Sequence, residues 1–130
     1  MTVDAIMSRD VVTVPPDTAL IEIRSLLHEQ GFRHLLVVQG DDALRGVISD
    51  RDVLRALSPF LDTYSEEHRD VKTLSKPASD VMRTEPITVT PDTPTEDAAK
   101  TLLDNSISAL PVVENGILVG IITTKDLLQH

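Results

Sequence analysis

The sequence predicts an α/β domain made of two like units, on three observations. The chain repeats itself: Thr13-Val14-Pro15-Pro16-Asp17-Thr18 returns as Thr88-Val89-Thr90-Pro91-Asp92-Thr93, a shift of 75 residues. Gly46-Val47-Ile48-Ser49-Asp50-Arg51-Asp52-Val53-Leu54 returns as Gly120-Ile121-Ile122-Thr123-Thr124-Lys125-Asp126-Leu127-Leu128, a shift of 74, so one residue is lost in the turn after Val113. Within each copy, apolar residues at helical spacing alternate with short β-branched runs. Finally, 130 residues with 41% hydrophobic and only 2% aromatic content suffice for one compact domain with an aliphatic core. Duplicated units bury their faces against each other, and the seam between them makes related clefts.

Each unit reads as a short docking helix followed by strand, helix, strand, strand and helix. In the first unit, Asp17 or Thr18 is placed to cap a helix running to about Gln30. Ala19, Leu20, Ile23, Leu26 and Leu27 form its apolar stripe, and Gly31 ends it. His34 to Val38 is continuous and β-branched, as a buried strand requires. Gly40-Asp41-Asp42 turns the chain into a returning strand, Leu44 to Ser49, and a second helix opens at Asp50.

The second unit follows the same plan. Thr93-Pro94-Thr95-Glu96 has capping-box form with proline at the first helical position, and Ala98, Ala99, Leu102 and Leu103 form the apolar stripe. Asn115-Gly116 predicts a two-residue hairpin, and a last helix begins near Lys125. The boundaries expected are residues 1–57 for the first repeat, 58–76 for a connection and 77–130 for the second repeat. The connection carries Pro59, Tyr64 and the charged run Glu66-Glu67-His68-Arg69-Asp70. It reads as a solvated linker or as a lid over a cleft.

Composition narrows the function. A net charge of -9 argues against nucleic acid and anionic membrane as partners. No apolar run approaches the ~20 residues that cross a bilayer, and no basic, apolar leader opens the chain, so a soluble cytoplasmic protein is expected. Absence of cysteine excludes disulfide and thiolate chemistry. His28, His34, His68 and His130 lack metal-ligand spacing, and no glycine-rich phosphate loop or matched Ser/His/Asp set stands out, so no catalytic residue and no metal is assigned.

The chemistry lies in Ser49-Asp50-Arg51-Asp52 and its twin Thr123-Thr124-Lys125-Asp126. Two readings of this pattern stand side by side. A hydroxyl residue with an acid three positions on, at a helix start, is a capping box favoured by the macrodipole. The same groups also describe a ribose-phosphate site. Exposed N–H groups and a hydroxyl suit phosphate, an aspartate offers two acceptors to a cis-diol, and Arg51 and Lys125 add cations that a cap does not need.

With Ser108-Ala109-Leu110-Pro111-Val112-Val113 preceding a turn and Gly-aliphatic-aliphatic-Ser/Thr-x-x-Asp, the two halves resemble a pair of cystathionine β-synthase (CBS) domains of the small, stand-alone bacterial type. The resemblance spans the chain except the 58–76 connection. It implies two α/β units related by a pseudo-twofold axis, their sheets packed together, with two clefts that take adenine from one repeat and ribose-phosphate contacts from the other. One cleft is expected to use Met82, Ile87, Ile107, Ser108 and Ala109 with Ser49, Arg51 and Asp52. The other is expected to use Met7, Val12, Phe32, Arg33 and His34 with Thr123, Lys125 and Asp126. For Met7 and Met82, anchoring of the docking segments in the core competes with ligand contact. Arg33 and His34 stand where family members often meet phosphates, a role that local hydrogen bonding of His34 rivals. The implied function is a regulatory sensor of AMP, ADP or ATP, with S-adenosylmethionine, NAD or a cyclic dinucleotide as alternative ligands. It needs no catalytic cofactor, associates as a homodimer and acts on an effector protein that the sequence does not name. A dimerisation scaffold with vestigial clefts is the rival reading, and a small nucleotide-directed enzyme a third.

Overall fold

The computed structural model describes residues 1–57, 61, 63 and 66–130. Pro59 and Tyr64 of the connection lie outside the described residues. The first half holds β1 (Thr13–Val14), α1 (Leu20–Gln30), β2 (His34–Gln39), β3 (Ala43–Ser49) and α2 (Asp50–Ala56). The connection ends in α3 (His68–Val71) and a 3₁₀ turn (Lys72–Ser75), which the sequence reading did not anticipate. Then come α4 (Ala78–Val81), β4 (Arg83–Thr84), α5 (Thr95–Asn105), β5 (Ala109–Glu114), β6 (Ile117–Thr123) and α6 (Thr124–Leu128). A 3₁₀ turn at Val3–Ala5 matches α4 in sequence position.

Both hairpins are antiparallel, with an irregularity at the same place, Val37/Val38 and Val112/Val113. The Asn115-Gly116 turn has φ of 55° and 80°, left-handed conformations that asparagine and glycine tolerate and a two-residue hairpin demands. The hairpins meet where Ala43 pairs with Ile117, so one hydrogen-bonded path, β1-β2-β3-β6-β5, runs through both halves, with β4 on β3. Ala43 and Ile117 are themselves equivalents at the shift of 74. Their antiparallel pairing places the pseudo-twofold axis between them.

The docking segments cross over. Val3 and Ile6, at the chain start, pack with Val89, Ala98, Leu102, Leu110, Val112 and Ile122 of the second half. Ala78, which precedes the second half, packs with Leu20, Ile23, Leu35, Val37 and Ile48 of the first. The hydrogen bonds repeat this exchange. Leu20 N–H donates to Lys76 O at 2.8 Å and Thr95 N–H to Met1 O at 3.1 Å; Ala78 N–H donates to Thr18 O and Val3 N–H to Thr93 O, both at 2.8 Å.

This exchange alters the helix starts expected from sequence. Ala19, not Asp17 or Thr18, caps α1, and Pro94 caps α5 from outside the helix; neither start has a side-chain cap bond. The first free N–H of each helix is already satisfied by the crossing backbone, so no side chain is required there. Leu103 is also not in the stripe: it is 79% exposed, whereas Ala98 and Leu102, four residues apart, are buried.

Glycine is needed where the exchanged segments cross a strand. A side chain at Gly46 would lie 2.6 Å from Met82 Sδ and 2.9 Å from Arg83 O. At Gly120 it would lie 2.8 Å from Ser8 O and 3.0 Å from Met7 Sδ. The two methionines therefore lie over equivalent glycines, the core-anchoring position.

Candidate functional site

Register explains how the polar residues converge. His34 pairs with Ser49 across the β2–β3 hairpin, and Asp50 N–H donates to Arg33 O at 2.9 Å. The start of β2 is thereby held against the start of α2. In the second half Ala109 pairs with Thr123, and Thr124 N–H donates to Ser108 O at 3.0 Å.

Each helix start is a completed capping box. Asp52 N–H donates to Ser49 Oγ at 3.2 Å while Ser49 N–H donates to Asp52 Oδ2 at 2.9 Å. Asp126 N–H donates to Thr123 Oγ1 at 3.2 Å, and Thr123 N–H to Asp126 Oδ2 at 2.9 Å. The capping role is thus present in both halves. It uses one oxygen of each carboxylate and leaves Oδ1 outside the box.

A cavity of about 580 Å³ opens between the halves, within the size range of small-molecule sites. The first half contributes Arg33, His34, Val47 and Ser49 to Asp52; the second contributes Ile87, Ser106 to Ala109 and Pro111; the segment entering it contributes Arg83 to Pro86. One wall is apolar, with Ile87, Ile107, Ala109 and Pro111. The facing wall is charged, with Arg33, Arg51, Asp50 and Asp52. Such a division suits a ligand with an apolar or weakly polar end joined to a polar or charged one.

One contact ties the two walls together, and a second ties the entering segment to the charged wall. His34 Nε2 lies 3.3 Å from Ser108 Oγ, and Arg83 Nε lies 3.5 Å from Asp52 Oδ1. His34 is held below the ordinary histidine range, chiefly because burial withdraws it from water. Asp50 and Asp52 pull it back upward, and Arg33 pushes it further down.

Of the residues expected from sequence, the cavity brings together Ser49, Arg51, Asp52, Ile87, Ile107, Ser108 and Ala109. It also takes Arg33 and His34, which the sequence reading assigned to the other cleft; the hairpin register holds them beside Ser49. Met82 does not line it, because its side chain lies over Gly46 and packs on the first core. Met7, Val12, Phe32, Thr123, Lys125 and Asp126 are likewise absent from its lining. Val12 and Phe32 pack against the first core and Met7 against the second.

Sequence reasoning missed Val47 and Pro111, which strand alternation could have supplied: each is two residues from an assigned position on the same strand face. It also missed Arg83. That residue reaches the cavity only because the two-residue β4 pairs with β3, Val47 opposite Arg83, a pairing too short to leave a sequence pattern. Among the described residues, no cluster of three or more His, Cys, Asp or Glu is placed to hold a metal. No helix among them is long and apolar enough to cross a membrane.

Comparison with known proteins follows the same two halves. The family model for the CBS domain matches residues 3–59 and 78–130. A CBS domain-containing protein of Dictyostelium discoideum is 34% identical over 129 residues, 98% of this chain and 88% of that protein. The homoserine O-acetyltransferase of Methanosalsum zhilinae is 31% identical over 128 residues, but the match, 98% of this chain, spans only 23% of that enzyme. Among solved structures, CBSX2 of Arabidopsis thaliana in complex with AMP superposes with a TM-score of 0.83 at 32% identity, covering 98% of this chain and 93% of that one.

Proposed function

This chain belongs to the CBS-domain family, and from that premise we propose that it is a regulatory module whose inter-repeat cavity binds an adenosine nucleotide of the AMP, ADP or ATP type. One observation carries the reading. A carboxylate oxygen left over from a capping box, Asp52 Oδ1, stands in the same cavity as three arginines and an aliphatic wall. Asp52 accepts from a ribose hydroxyl, Arg33 and Arg51 face the phosphate, and Ile87, Ile107 and Ala109 pack against adenine. The AMP complex of CBSX2, a protein 32% identical over nearly the whole chain, supports that ligand class.

A ligand touching both halves binds their closed arrangement better than a separated one, which turns binding energy into a change in packing. The module binds and signals without turnover. Leu54 on α2 and Leu128 on α6, equivalent positions 72% and 82% exposed, support association of two copies through these helices.

Isothermal calorimetry with AMP tests the reading. The wild-type chain is expected to bind, and Asp52→Ala to weaken binding by about tenfold to a hundredfold through loss of a charge-assisted hydrogen bond. Asp126→Ala, outside the cavity, is expected to leave AMP affinity within about threefold, less than one such bond is worth. If AMP, ADP, ATP, S-adenosylmethionine, NAD and a cyclic dinucleotide all fail to bind, the module is a dimerisation scaffold instead.

A further inference from the structure

The geometry points to Arg83 as a specificity residue that makes the cavity demand a phosphate on its ligand and reject the uncharged nucleoside. This rests on the nucleotide reading above. Asp52 Oδ2 is committed to Ser49 N–H, so Oδ1 is the oxygen open to a sugar hydroxyl. Arg83 Nε stands 3.5 Å from that same Oδ1. The Asp52 side chain is 9% exposed, whereas that of Arg83 is 56% exposed and lines the cavity.

A sugar that engages Asp52 must therefore displace or share a cation. The charged groups lining the cavity balance: Arg33, Arg51 and Arg83 against Asp50, Asp52 and Glu85. Once Arg83 leaves Asp52 it is free to pair with another anion at the cavity rim. A phosphate on the same ligand supplies one within reach, and the displaced ion pair is replaced by a charge-assisted hydrogen bond. A bare nucleoside breaks the pair and offers nothing in exchange.

The other half of the molecule supplies the contrast. Arg83 corresponds, at the shift of 75, to Ser8, which bridges Ile121 as Arg83 bridges Val47. Asp126 Oδ2 takes the N–H and hydroxyl of Thr123, and among the described residues Oδ1 has no partner. The guard on the carboxylate is therefore peculiar to one side and is not part of the repeated framework.

Calorimetric titration of the full chain with AMP and with adenosine tests this. Arg83→Ser copies the other half, Arg83→Gln keeps most of the stem without charge, and Arg83→Lys restores a cation. Wild type is expected to prefer AMP. In Arg83→Ser and Arg83→Gln the AMP-to-adenosine affinity ratio is expected to fall by about tenfold, AMP weakening while adenosine tightens, and Arg83→Lys is expected to recover most of the ratio. A purely structural role would weaken both ligands together. If wild type binds AMP and either neutral variant keeps the wild-type ratio, the inference is overturned while the nucleotide reading stands. If wild type binds neither ligand, the inference falls, and the nucleotide reading falls with it when ADP and ATP also fail to bind.

Discussion

In the first half, Leu20 N–H reaches Lys76 O and Ser79 N–H reaches Pro16 O; in the second, Thr95 N–H reaches Met1 O and Asp4 N–H reaches Pro91 O. Each bond in one half has its partner bond 75 residues away. The side chains facing the cavity do not correspond in this way. Arg33 and His34 face it from the first half where the second offers Ser108 and Ala109, and Arg83 stands where the other side has Ser8. Burial accounts for the difference. A framework position such as Leu35 or Leu110 has no exposure to water, so volume and shape fix it. A cavity-facing position such as Arg33 or Arg83 keeps contact with water, so two copies of it can diverge without loss of fold.

The strongest way to break that comparison is to treat the halves as independently stable. Leu35→Ala and Leu110→Ala remove equivalent, fully buried side chains, and each is expected to cost about 2–5 kcal/mol. Because Val3 and Ile6 sit in the second core and Ala78 in the first, damage to either core loosens a segment tied to the other. Both variants are therefore expected to melt in a single calorimetric transition. Two resolved transitions, one at the wild-type temperature, would show that the exchange does not couple the halves.

A finer test uses the glycine crossings. Gly46→Ala and Gly120→Ala each put a methyl group under an exchanged segment, at an expected cost of about 1–3 kcal/mol in thermal or urea denaturation. Gly46 is the tighter position, since Met82 Sδ and Arg83 O would lie 2.6 and 2.9 Å from the added carbon, whereas at Gly120 Ser8 O and Met7 Sδ would lie 2.8 and 3.0 Å away. Gly46→Ala should also move Arg83 and so weaken AMP; Gly120→Ala should lower stability without that loss. Equal effects of the two on AMP would remove the asymmetry inferred for the cavity.

The repeat, both hairpins and the capping boxes at Ser49–Asp52 and Thr123–Asp126 were legible in the sequence, because each depends on neighbours within a few residues. Gly31, with φ of 71°, ends α1 as its position implied. The helix starts at Ala19 and Pro94 were not legible, since the first N–H groups of the helices, those of Leu20 and Thr95, bond to backbone more than fifty residues away in sequence. The cavity was readable residue by residue but not as an assembly. Ser49 and Asp52 were found from local pattern, and Ile87 and Ile107 were implied by the family resemblance, yet Arg33 and His34 were assigned to the opposite cleft. A period or a motif specifies the face on which a side chain lies. Which half closes over that face is set by how the two cores dock.

The smallest effect sharpens the comparison at one residue. His34 faces Asp50 and Asp52 from α2, Arg33 from its own strand end, and Ser108 Oγ from the other half; its counterpart, Ala109, does not titrate. Burial lowers its pKa, so between the unfolded value of about 6.5 and the lower folded value the unfolded chain binds the extra proton. The contribution of neutral His34 to stability is then complete above that unfolded value. It declines as pH falls through the window beneath it and is flat again below the folded value. Urea denaturation of the ligand-free chain between pH 8 and pH 5 is expected to show stability falling faster in wild type than in His34→Ala, which gives the first half the second half's residue. Subtracting the two profiles removes every carboxylate common to both. A difference that stays constant with pH would mean that His34 is not held neutral by the cavity, and the halves would then differ there in shape alone.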